Sequence, residues 1–325
     1  MGRAFFLCVA GTLLGMLTPG CLLCTAENPD LCLELFNTCG EDKGVPIATS
    51  LVDLDLRQQF VWTTEAPVGN MIADAIYAMA RRHCGTATRP CPDAAVENAG
   101  AIRYETPCGE RELITAGQLY ESDILQMLPF ASNRMDVIEL TGHDLKLALE
   151  HSVDLLGQRR ASEQGGHFLH VSRLRFEVDC DQPSQAHDPA RKTIVVPGAR
   201  IVDGSLMIRT DPGAPEDLAI WEPVVTDRTS IYRIATNSFI GSGNDGFLAL
   251  VAREQTAEGE TALEGDSPVC DGSFLCKNLY YVEEDGVFAN DALAVVSYLR
   301  QQGEVAPYID GRIFQSPSCI IGSRR

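Results

Sequence analysis

The sequence of 325 residues predicts an α+β fold, a single mixed-sheet domain, on three observations. Apolar and polar residues alternate with the period of a half-buried strand in several stretches, among them 47–62 and 167–180. Other stretches carry the stripe of an amphipathic helix; in "VGNMIADAIYAMARRHC" the apolar residues fall at 68, 71, 72, 75, 76, 79 and 80. The two kinds of segment follow one another irregularly, without an internal repeat or a long linker, which is the order of an α+β domain. Apolar residues make up 45% of the chain, enough to fill a sizeable core.

Residues 1–26 read as a signal peptide: Arg3 precedes the apolar run "AFFLCVAGTLLGML", and "CTA" ending at Ala26 suits cleavage. Gly11, Gly15 and Pro19 interrupt the run and argue against a retained membrane span. A lipoprotein reading stays open, with a lipid anchor at Cys21 after "LTPG", although Leu17 lies one position off the usual lipobox spacing. Residues 27–46 form a short extension tied by disulfides, 47–316 the domain, and 317–325 a tail.

Within the domain, 47–62 reads as a strand and 68–84 as a helix. "AAVENAGAIRYE" is a strand running into a turn. "TAGQLYESDILQMLPF" offers Thr115 as the N-cap of a helix that stops at Pro129. "RMDVIELTG" is a strand, and the helix after it is capped by Thr141 and closed by Gly157. "HFLHVSRLRFEVDC" alternates as a strand, 181–230 reads as strands and loops, and "IYRIATNSF" as a buried strand. "DGFLALVAREQ" suits a helix, "TAEGETALEGDSPVCDGS" a surface excursion, "ANDALAVVSYLRQQG" a last helix and "DGRIFQ" a terminal strand.

The net charge of −19 excludes a nucleic-acid-binding face, which must be basic, and leaves any anionic small ligand to a few local donors. Twelve cysteines in an exported chain suggest disulfides. Cleavage after Ala26 leaves nine of them, an odd number; lipidation at Cys21 keeps Cys24 and leaves ten for pairing. The short-range candidates are Cys32–Cys39, Cys84 with Cys91 or Cys108, and Cys270–Cys276. A zinc site on cysteine is disfavoured, because no C-x-x-C pair lies outside the leader and no histidine clusters with the cysteines.

"NSFIGSGNDGF" (237–247) places Gly241, Gly243 and Gly246 in a G-x-G-x-x-G pattern. A dinucleotide fingerprint requires a second βα unit and an acidic ribose ligand downstream, and the chain instead becomes Gly-, Glu- and Asp-rich. No Lys-Ser/Thr follows, so a P-loop is excluded. Phe247, followed by Leu248, Leu250 and Val251, reads as core. Phe239 ends a strand beside a loop that can approach a ligand, where its ring can stack on a flat group and Asp245 can accept from hydroxyls.

These residues resemble the C-terminal, substrate-binding domain of the 5′-nucleotidase / UDP-sugar hydrolase family. "SFIGSGNDGF" resembles its glycine loop, "VGNMIADAI" its opening helix and "ENAGAIR" (97–103) its Asn-x-Gly-x-Ile-Arg turn. Residues 114–153 are similar to its Leu-Pro-Phe step, its "LTG" turn and the helix after it, and "HFLHVSRLRFEVD" and "DGRI" to its later strands. The resemblance implies that two phenylalanines, Phe130 and Phe239, sandwich a base. It implies ribose contacts for Asp245 on the Gly243 loop, and ligand contacts for Asn98 and Arg103. Read without it, Phe130 also suits plain core, Asn98 a turn cap, Arg103 an ion pair with Glu97 or Glu105, and Asp245 a turn residue.

In that family the phosphoric ester hydrolysis sits in an N-terminal metallophosphatase domain with two metal ions. Its Asp-x-His, Gly-Asn-His-Asp/Glu and Gly-His-x-His motifs are absent from this sequence, so no catalytic residue and no metal or other cofactor is expected in this chain. His167 and His170 in "HFLH" point to opposite faces of a strand and make poor joint ligands. "FVWTTEAPVGN" carries Trp62 where the family usually has an arginine, which weakens the expectation of phosphate binding. The expectation is therefore an exported nucleoside- or nucleotide-binding domain, extracellular, periplasmic or at the cell surface, touching membrane only through a lipid anchor. Two alternatives stand beside it. One is the substrate-binding half of a split nucleotide phosphohydrolase of nucleotide catabolism, acting with a separate metallophosphatase chain. The other is a structural surface protein that has lost its ligand.

Overall fold

The computed structural model describes residues 43–320 except 87–88, 107, 159, 189–192, 212–217, 252, 257–258, 262–277 and 285–286. The expected leader, the Cys21 anchor site, Cys32–Cys39, Cys270–Cys276 and most of the acidic excursion lie outside the described residues. The main elements are β1 (Pro46–Ser50), α1 (Pro67–Arg82), β2 (Ala94–Asn98), β3 (Gly117–Tyr120), α2 (Glu121–Met127), β4 (Met135–Thr141) and α3 (Gly142–Ser152). They continue with β5 (Leu169–Ser172), β6 (Leu174–Val178), β7 (Met207–Arg209), β8 (Trp221–Pro223), β9 (Ile231–Asn237), β10 (Arg253–Thr256) and β11 (Gly259–Thr261). The last are β12 (Asn278–Tyr281), α4 (Asp291–Gln302), β13 (Glu304–Val305) and β14 (Ile313–Gln315).

The central sheet has seven strands in the order β11-β10-β12-β4-β9-β2-β5. It is mixed, as the sequence predicts: β9 runs antiparallel to β4 and parallel to β2, and β2 runs antiparallel to β5. Smaller sheets, β13-β1-β3 and β8-β7-β6-β14, lie beside it. Helix α1 packs on β2, β5 and α4. Every position of its predicted stripe, from Val68 to Ala80, is buried. Burying such side chains contributes roughly 1.5–3 kcal/mol each, which offsets the entropy of ordering the helix.

Several boundaries differ from the sequence reading. The expected strand over 47–62 breaks after Ser50, resumes at Leu54–Asp55 and turns helical at Gln58–Val61. Thr115 does not cap α2: the backbone pairs with β1 as far as Tyr120, and Asp123 accepts from the Tyr120 N–H at 2.9 Å, so α2 starts at Glu121. Helix α3 is capped by Thr141, which accepts from the Asp144 N–H at 3.1 Å, but ends at Ser152, short of Gly157. Among its described residues "DGFLALVAREQ" holds no α-helix: two 3₁₀ turns precede β10. The "HFLH…" strand divides at Arg173, whose φ of 64° redirects the chain from β5 to β6.

The predicted choice for Cys84 resolves to Cys91, and a second bond, Cys180–Cys319, is not anticipated by the spacing. No described helix is long and apolar enough to cross a membrane.

Candidate functional site: a cleft at one edge of the central sheet

Because β2 and β9 are parallel and their neighbours β5 and β4 antiparallel to them, one sheet edge gathers two strand ends and two strand starts. Asn98 and Asn237 end β2 and β9 there, and β4 and β5 begin there with Met135 and Leu169. The four connections enclose a cleft of about 540 Å³. The segment after β2 supplies Asn98, Gly100, Ala101 and Arg103, and the loop after β9 supplies Phe239 and Asp245. Phe130 and Asn133 come from the segment before β4, and Glu163, Gln164, Gly166 and His167 from the one before β5. Trp62 closes one side and donates from its indole N–H to the Ala99 carbonyl at 3.1 Å.

The floor is main chain. Gly100 N–H donates to the Gly166 carbonyl at 2.6 Å, and a Cβ on Gly100 would lie 3.0 Å from that oxygen. Under the floor, Asn237 Nδ2 donates to Asn98 Oδ1 at 2.8 Å and to Glu97 at 2.7 Å. The second donor group of that pair, Asn98 Nδ2, reaches toward Asp245 Oδ2 at 3.5 Å. Asn237 also accepts from the Ile240 N–H at 3.1 Å, capping the short helix Ser238–Gly241 that carries Phe239. Burial pushes the Glu97 carboxyl well up, and nearby Asp291 adds to the shift. Asp291 itself rises to about 7, chiefly from burial.

Arg103 lies over the Phe130 ring, 4.9 Å from its centroid, and its Nε is buried without a hydrogen-bond partner. Burial lowers its pKa, against the pull of Glu105 and Asp245, but a guanidinium stays cationic. An aromatic wall, an unpartnered guanidinium edge and a carboxylate at the rim together suit a flat, hydroxyl-bearing polar ligand.

The model of the family described as 5′-nucleotidase, C-terminal domain, matches residues 46–252. The chain belongs to this family. Among relatives, the trifunctional nucleotide phosphoesterase protein YfkN of Bacillus subtilis (strain 168) is 29% identical over 69% of this chain and 12% of its own length. The 5′-nucleotidase of Diplobatis ommata is 26% identical over 77% of this chain and 33% of its own length. Among solved structures, the 5′-nucleotidase precursor from Thermus thermophilus superposes with a TM-score of 0.57 at 24% identity, over 90% of this chain and 43% of that one. The chain thus spans less than half the length of these relatives.

In this 5′-nucleotidase C-terminal domain, Asn98, Arg103, Phe130, Phe239 and Asp245 come from three connections and line one cleft. Gly243 does not line it; at φ 85° it makes the turn that sets Asp245, itself left-handed at φ 54°. Glu97 is fully buried and bonded to Asn237, so it is no surface partner for Arg103. Phe247 is core, as expected. Sequence reasoning assigns no role to Asn133, Glu163, Gln164 and His167; nothing in their spacing marks them, because they meet only once the sheet is paired.

The histidines also group in a way their spacing does not show. His170 is fully buried, with Nε2 donating to the Val61 carbonyl at 3.0 Å; the expected shared strand is not formed, because β5 begins at Leu169 and His167 lies in the turn before it. His167 instead meets His151 and Asp154 beside the cleft. The His151 and His167 rings stack with centroids 4.6 Å apart, and His187 packs on His151 at 4.7 Å. Burial, then the charge of His151, lowers the pKa of His187 to about 4. Burial raises the Asp154 carboxyl, and the two imidazoles more than reverse it, to well below the usual carboxylate range. The signal within reach is the i, i+3 pair His151 and Asp154 at the end of a helix; the third member lies 13 residues past Asp154.

Proposed function

We propose that this chain is the substrate-binding domain of an exported nucleotide-hydrolysing system, holding a nucleoside or nucleotide in the cleft between Phe130 and Phe239. The observation that carries the reading is the convergence of the family's loop and turn residues on one cleft of ligand size. Base stacking is sequence-tolerant and contributes about 1–3 kcal/mol per base. Asp245 accepts from ribose hydroxyls, Asn98 reads polar ring atoms, and Arg103 offers its free Nε to a sugar or phosphate oxygen. Trp62 on the opposite side supports a preference for a nucleoside over a tightly held polyphosphate. The leader-like N-terminus supports the export part of the reading, and relatives include the snake venom 5′-nucleotidase of Gloydius brevicauda.

The test is calorimetric titration of the mature protein with adenosine, AMP and UDP-glucose. At least one binds, and Phe239→Ala weakens it by about tenfold, the equivalent of 1.4 kcal/mol. Silence with all three ligands, or an affinity indifferent to Phe239→Ala, removes the reading.

A second reading draws on the relatives being nucleotide phosphoesterases and 5′-nucleotidases: the domain is the substrate-binding half of a split phosphohydrolase whose metallophosphatase is a separate chain. AMP hydrolysis that requires metal and appears only on mixing the two chains supports it; hydrolysis by the purified chain alone contradicts both readings.

A further inference from the structure

His151 sits at the end of α3 and is 6% exposed. Its Nε2 lies 2.7 Å from the Asp245 carbonyl, an acceptor, so this nitrogen carries the hydrogen. In the neutral ring Nδ1 then holds a lone pair. That nitrogen is buried without a hydrogen-bond partner, and Asp154 Oδ2, another acceptor, is only 3.3 Å away. Two lone-pair atoms at this distance repel; a proton on Nδ1, making the ring an imidazolium paired with Asp154, relieves this, and so does a cation held by both atoms. The other oxygen of Asp154 is 2.8 Å from His167 Nε2. One nitrogen from each histidine and an oxygen of Asp154 all lie within 4.8 Å of one another.

A tetrahedral zinc with ligands about 2.0–2.1 Å away holds neighbouring ligand atoms about 3.3 Å apart, so small rotations of these side chains suffice. We propose that His151, Asp154 and His167 bind one divalent transition cation of the zinc class, an imidazole-rich set that disfavours magnesium and calcium. The hydrogen bond from His151 to the Asp245 carbonyl fixes the tautomer that leaves Nδ1 as the ligand, the usual outer support of a metal-bound histidine. Gly246 permits this contact: a Cβ there would lie 2.9 Å from His151 Nε2. His167 also lines the cleft, so the proposed site adjoins it. The inference does not depend on the nucleotide reading.

The experiment uses the full mature chain, stripped with EDTA, dialysed and titrated calorimetrically with Zn²⁺, Mg²⁺ and Ca²⁺. Zn²⁺ binds at one per chain and the other two give no saturable heat. Asp154→Asn and His167→Gln, each checked for folding by circular dichroism, weaken Zn²⁺ binding by roughly tenfold or more. Co²⁺ on the unmutated protein gives visible d–d bands without a thiolate charge-transfer band, which decides the matter even if a variant fails to fold. Absence of stoichiometric Zn²⁺ binding, Zn²⁺ affinity unchanged in both variants, or a thiolate band overturns the proposal.

Discussion

At the residue scale the least ordinary choice is a pair of acids in the core. Glu97 ends next to the cleft floor and Asp291 opens α4, and both are fully buried. A carboxylate at a helix start is ordinarily favoured by the dipole. Here the cost of desolvation outweighs it and Asp291 titrates near 7. An acid whose pKa is raised on folding binds more protons in the native state, so its stabilising contribution is present at low pH and lost as pH rises toward 7. Between about pH 5 and 7 the folded state should therefore lose about 1 kcal/mol per pH unit from this site. Thermal unfolding of Asp291→Asn should show a flatter dependence over that range. A slope unchanged from the parent would mean that Asp291 is already ionised in the fold.

At the element scale, the motifs that looked most alike in sequence divide between two jobs. "VGN" and "DGRI" meet far along the chain from each other but do not touch the cleft. Asn70 donates to Glu65 at 2.7 Å, and Glu65 accepts from the N–H of Asp310 and of Ile313. Arg312 makes a two-pronged pair with Asp74 of α1, both contacts 2.8 Å. Arg312 is largely buried but Asp74 keeps 32% of its side chain exposed, so removing the guanidinium leaves a partly solvated charge and costs about 2 kcal/mol. Arg312→Ala should lower the urea midpoint accordingly, with no change in heat for any cleft ligand; a loss of ligand heat in the folded variant would place Arg312 in the site after all. Elements with a strong period are legible from sequence: α1, β4, β9 and α4 stand where alternation and caps put them. What is not legible depends on partners distant in sequence. Residues 117–120 are strand because β1 lies beside them, overriding Thr115 as a cap, and the segment after Gly246 forms tight turns because it must pack against α3. The cleft is half legible: the loop and the turn advertise Phe239, Asp245, Asn98 and Arg103, whereas the rim before β5 and the histidine cluster exist only through the pairing of β5 with β2.

At the scale of the whole molecule, Cys180–Cys319 closes a stretch of 139 residues. It lies just beyond β6 and β14, neighbours that run parallel. Cys84–Cys91 closes only 7. Loop-closure entropy grows with the logarithm of length, so the long bond contributes more, about 5 kcal/mol against about 2 for the short one. Replacing Cys180 and Cys319 together by alanine should lower the denaturation midpoint further than replacing Cys84 and Cys91; equal losses would show that strain or residual structure, not loop length, governs both. The glycine-on-glycine contact under the cleft has a different kind of consequence. Where two main chains touch, there is no side chain to exchange, so that surface is closed to variation by point substitution. Any retuning of this binding surface toward another ligand, by evolution or in a library, has to work from the side chains around that floor, among them the exposed turn at Glu163 and Gln164.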